Sequence, residues 1–89
     1  MSYRVYWRER VRNELTVHEF LARELGRPVN HIPAAVELIE HELGTDPNAA
    51  GESRGDGERV LVVPPLAVFF EVFEEPRVVL VYRFTYRPQ

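Results

Sequence analysis

The longest apolar run of this chain, Val60 to Phe70, is cut near its middle by Pro64-Pro65. Proline lacks the backbone donor that a helix interior or a central strand needs, so the run cannot continue as one element. It is also too short to cross a bilayer. What remains is two strands, Val60 to Val63 and Leu66 to Phe73, meeting at the prolines. Glu74-Glu75-Pro76 then reads as a hairpin turn, and Val78 to Tyr86 as the last strand. Near the start of the chain, Tyr3, Val5 and Trp7 alternate with Arg4, Tyr6 and Arg8, the period of a half-buried strand. Nine of the ten aromatic residues fall in these segments, where a β-sheet uses them best.

Between the first strand and the β-rich end, roughly Glu9 to Gly44 carries a helical period. Val11, Leu15, Leu21, Ala22 and Leu25 recur at helical spacing with His18 on the same stripe, and Gly26 followed by Pro28 is a stop signal. Ile32, Val36, Ile39 and Leu43 form the stripe of a second helix. Asn30 is placed to cap it, Pro33 fits its first turn, and Gly44 with Pro47 ends it. Thr45 to Gly57 is polar, glycine-containing and aperiodic, and reads as a long loop. The order strand–helix–helix–three strands predicts one α+β domain over residues 1–89. Its expected form is an antiparallel sheet with both helices packed on one face and the other face open.

Composition narrows the function classes. Eighty-nine residues, 45% hydrophobic and 28% charged, suit one modest globular core. The absence of cysteine removes a disulfide framework, a thiolate metal site and a cysteine nucleophile, and fits a reducing cytoplasm. The N-terminus has no apolar segment of signal-peptide length, so a cytoplasmic protein without a membrane partner is expected. All eleven basic residues are arginine, against fourteen acidic ones, for a net charge of −3. Lysine catalysis is thereby excluded, and the overall charge argues against a general nucleic-acid binder. A local basic face remains open, since residues 1–12 hold four arginines against one glutamate.

Few residues are placed for chemistry. No two histidines lie at i,i+3 or i,i+4, and neither His18-Glu19 nor His41-Glu42 extends to His-Glu-x-x-His, so no metal or cofactor is expected. Gly51 to Gly57 lacks the Gly-Lys-Ser/Thr ending of a phosphate-binding loop, and Ser53 has no histidine nearby in sequence; Arg54 is that segment's one candidate contact. In the last strand, parity sets Val79, Val81, Arg83, Thr85 and Arg87 on one side and Val78, Leu80, Tyr82, Phe84 and Tyr86 on the other. Arg83 and Arg87 are then about 13 Å apart, at roughly 3.3 Å per residue, a spacing suited to two successive phosphates. The alternative is a solvated face whose arginines pair with carboxylates such as Glu71.

The strand, two helices and β-rich ending, with a glycine-containing loop leading into Arg59-Val60-Leu61-Val62-Val63-Pro64-Pro65-Leu66-Ala67-Val68-Phe69-Phe70-Glu71-Val72, resembles the RelE/ParE toxin superfamily. Phe70-Glu71-Val72, a short acidic turn, the strand Val78 to Phe84 and the terminal Tyr86-Arg87 carry the likeness furthest. Members are toxins of bacterial type II toxin–antitoxin operons, so the resemblance implies a cognate antitoxin as partner. RelE-like members cleave mRNA in the ribosomal A site; ParE-like members poison gyrase without cleaving anything. Cleavage proceeds by 2′-hydroxyl attack on the adjacent phosphate, which needs cations for the developing charge and groups to move protons.

This chain departs from the RelE-like pattern. Ala67 stands where those members carry an arginine, and Val60 and Val62 stand at positions often basic; Arg87 matches the terminal arginine. Arg54, Arg59, Arg83 and Arg87 remain as the cations that would contact RNA or a partner. Arginine stays protonated at neutral pH, so the set holds no general base and no catalytic residue is assigned. The resemblance thus implies a toxin-like component acting on translation or on gyrase. The alternative is a non-catalytic protein-interaction module of the same fold.

Overall fold

The alternating and helical stripes of the sequence become five strands and two helices in a computed structural model, which describes residues 2–26 and 31–87. They are β1 (Arg4–Trp7), α1 (Glu9–Glu24), α2 (His31–Thr45), β2 (Glu52–Gly55), β3 (Glu58–Val63), β4 (Leu66–Phe73) and β5 (Val78–Tyr86). Pro28 and Asn30, expected to stop one helix and cap the next, lie outside the described residues. Pro64-Pro65 forms the tight β3–β4 connection, with Val63 opposite Leu66. The acidic segment after Phe73 turns β4 into β5.

The strands form one sheet in the order β1-β5-β4-β3-β2. Two features correct the sequence reading. First, β1 pairs with β5 in parallel, Val5 opposite Val79 and Trp7 opposite Val81, so the sheet is mixed and not wholly antiparallel. Everything between these strands supplies the long connection that a parallel pair requires. Second, the segment read as a loop contains β2, which pairs antiparallel with β3 through the two-residue turn Asp56-Gly57. Both turn residues have positive φ, 49° and 80°, the requirement of the hairpin turn that Asp-Gly favours. Every residue of β2 is exposed, so no apolar alternation marks it as a strand.

Both helices pack on one face of the sheet, α1 against β5 and α2 across β1 and β3. Phe70, Val79, Val81, Ile32, Ile39 and Leu43 form the fully buried centre, and Trp7 closes it from β1. The Trp7 indole Nε1 donates to Glu40 Oε2 at 3.1 Å, which satisfies its one polar atom. In α1 the inward stripe is Val11, Leu15 and Ala22. Leu21 and Leu25, expected on that stripe, are 46% and 65% exposed. Adjacent helical residues differ by about 100° in direction, so Leu21 and Ala22 cannot both face the sheet.

The last strand carries the third correction. Phe69 lies opposite Arg83 and Phe70 opposite Val81, which leaves Tyr82 as an extra residue in β5. This β-bulge shifts the alternation by one. Val79 and Val81 face the helices before it; after it Phe84 and Tyr86 do, packed against the core and against His18 of α1. The single parity expected for Val79 through Arg87 is therefore broken at Tyr82.

Candidate functional site

The helix-free face of the sheet is the site the fold presents. On β3 it carries Val60 and Val62, on β4 Ala67 and Phe69, and on β5 the bulge turns Arg83 and Thr85 out onto it. A groove of about 360 Å³ runs over Val60, Val62, Ala67 and Phe69, with Arg54 from β2 and Arg87 after β5 on its lining. Its floor is apolar because valine and alanine occupy positions that the family resemblance expects to be basic. Val62 is 62% exposed, which is unusual for a valine in mid-strand.

Beside the groove, three side chains meet. Arg83 lies over the Phe69 ring, its guanidinium carbon 3.9 Å from the centroid, a cation–π contact. Arg83 Nη2 also donates to Glu58 Oε2 at 3.3 Å, and the Tyr82 hydroxyl donates to the same oxygen. The Tyr82 hydrogen bond holds the Glu58 carboxyl below its ordinary range; burial opposes it, and the Arg83 contacts add to it. Burial, then the hydrogen bond to Glu58, pushes the Tyr82 phenol up to about 12. Arg83 is thus paired to Glu58, and not to Glu71, which lies opposite Leu80.

The four arginines expected as contacts are not all brought to one place. Arg54 and Arg87 flank the groove, and among the described residues neither has a carboxylate within ion-pair distance. Arg83 sits beside them but is held by Phe69 and Glu58. Arg59 alternates with the open-face residues of β3, and its Nη2 donates to the Asn48 carbonyl at 2.8 Å, tying the segment after α2 to the sheet. Its Nε is buried without a partner. Asn48 in turn donates to Glu74 at 2.9 Å, and Tyr3 donates to the same carboxylate at 2.7 Å, a staple joining three distant segments.

All three histidines belong to the helical layer, His18 on α1 and His31 and His41 on α2. Among the described residues no three His, Cys, Asp or Glu side chains gather to hold a metal ion, and no helix is long and apolar enough to cross a membrane. Sequence reasoning missed Glu58, Tyr82 and Phe69 as site residues. Their meeting depends on the bulge, which no local signal announces.

The chain, a strand, two helices and four further strands with one sheet face bare, shares its fold with a solved structure. One solved structure similar over the whole length is a chain of the toxin–antitoxin complex RelBE2 from Mycobacterium tuberculosis. The match has a TM-score of 0.75 and 19% identity, and covers 98% of this chain and 100% of that one. No protein-family model matches the sequence, and no curated protein matches it.

Proposed function

We propose that this chain is the toxin-like member of a type II toxin–antitoxin pair, restrained by a cognate antitoxin protein and acting on its target through the open sheet face. The observation that carries this reading is the whole-length fold match to a chain of a toxin–antitoxin complex. The arginine-flanked groove on the bare face supports it.

Two targets follow from such a fold, translation through mRNA cleavage and gyrase. The chemistry of the face favours inhibition by binding. Transferring a proton from a 2′-hydroxyl at neutral pH calls for a group titrating near 7. The histidines sit in the helical layer, Tyr82 is pushed to about 12, and Glu58 is engaged by two donors. An apolar floor of Val60, Val62 and Ala67 is better suited to a protein side chain than to a phosphate chain. The same floor is what favours the second reading, an interaction module that keeps the fold without toxicity.

Induction in a bacterial host tests the reading. Growth should arrest, and co-expression of a small adjacent gene product should restore it. Measuring protein synthesis and the DNA-damage response separately assigns the target. Arg54→Ala with Arg87→Ala should relieve the arrest while leaving the thermal midpoint near wild type. Normal growth at a level where the folded protein is detected removes the toxin assignment. Cleavage of mRNA by the purified chain overturns the preference for binding.

A further inference from the structure

α1 carries a second apolar face that the sheet does not use. Val11, Leu15 and Ala22 point inward, while Val17, Phe20 and Leu21 point outward at 54%, 55% and 46% exposure. At helical periodicity Arg10 and Glu24 fall on this same outer face, one at each end. Each is seven residues from Val17, about 10 Å along the axis at 1.5 Å per residue. Arg10 is exposed and paired with Glu14 one turn away at 3.5 Å.

We infer that this face docks a second copy of the same chain, helix α1 against helix α1 in antiparallel sense, with Val17 at the two-fold axis. A two-fold interface must be complementary to itself, residue i meeting j while j meets i. The outer face of α1 satisfies that condition. An antiparallel pair centred on Val17 sets Arg10 of one copy against Glu24 of the other, twice, and lays Phe20 and Leu21 of each copy beside the Val17 pair, against Glu14 and Asn13 of the other. A parallel pair sets arginine on arginine and glutamate on glutamate. The charge pattern therefore selects a second copy in one orientation, a coincidence that a foreign helix does not require. A lipid surface is a poor occupant, because α1 holds four glutamates against three arginines. One helix face is smaller than a standard interface, so the dimer belongs to the weak, micromolar class. The inference does not depend on the proposed toxin function.

Sedimentation equilibrium of the full chain tests it. The mass should rise from 10.4 kDa toward twice that value across the micromolar range. Arg10→Glu and Glu24→Arg should each weaken the dimer about tenfold, since every contact occurs twice. The double exchange R10E/E24R restores both pairs with reversed polarity and should return the affinity to near wild type. The chain has no cysteine, so Val17→Cys introduces a single thiol, which should oxidise to a covalent dimer across the axis. Circular dichroism of each variant should match the parent, as these side chains are exposed. A monomer at every concentration overturns the inference, as does a dimer indifferent to both charge reversals.

Discussion

Arg83 lies directly across the β4–β5 ladder from Phe69, with its guanidinium carbon 3.9 Å from the ring centroid. The register places them so because Tyr82 is left out of the ladder, and the same displacement brings Tyr82 and Arg83 together on one oxygen of Glu58. One extra residue therefore builds the polar half of the site.

Glu58→Gln should make this linkage visible as pH dependence. The carboxyl is held below its ordinary value of 4.5 in the folded protein, so its stabilising contribution is present above that value. It is lost as pH falls through the lower folded value. The variant should melt lower than wild type at pH 7, and the gap should close on acidification below 4.5. Thermal melts over that range measure it; a gap independent of pH contradicts the role given to Glu58.

Tyr82 should titrate apart from an ordinary tyrosine. Its folded value of about 12 lies above the ordinary 10.0, so its contribution is complete below pH 10 and declines as pH rises through 12. Phenolate absorbance should show a late-ionising tyrosine near pH 12 that Tyr82→Phe removes. An unchanged titration curve in that variant assigns the late step elsewhere.

Gly51 is the glycine whose replacement should do most damage. It has φ of +77°, and a Cβ there would run into the backbone carbonyl of Val60 on β3. Gly51→Ala should destabilise by at least about 2 kcal/mol, combining left-handed strain with displaced backbone. Gly57 also has positive φ but open space around it, so Gly57→Ala should be the milder change. Denaturant melts of the two variants compare them directly.

Phe70 and Leu21 separate the two apolar faces. Phe70 is 0% exposed at the centre of the core, and Phe70→Ala should cost about 3–5 kcal/mol, enough to unfold a domain of this size. Leu21→Ala should change the stability of the monomer by less than about 0.5 kcal/mol. A large loss at Leu21 in dilute protein would place that side chain in the core after all.

What the sequence by itself determined is the two helices, every strand but β2, and most of their inward faces. Val5 and Trp7 in β1, Ile32, Ile39 and Leu43 in α2, and the strand break at Pro64-Pro65 all follow from backbone period and proline chemistry, which act within a few residues. Asp56-Gly57 is a local signal of the same kind, but β2 has no buried face to give it alternation. Tertiary structure alone decided the rest. The partner of β1 depended on which sheet edge stayed free, and the bulge at Tyr82 exists only relative to β4, since an extra residue has meaning only against the strand it fails to match. Glu58 meets Tyr82 and Arg83 across sequence separations of 24 and 25 residues. The open face inherits its chemistry from that register, and register is a property of two strands together.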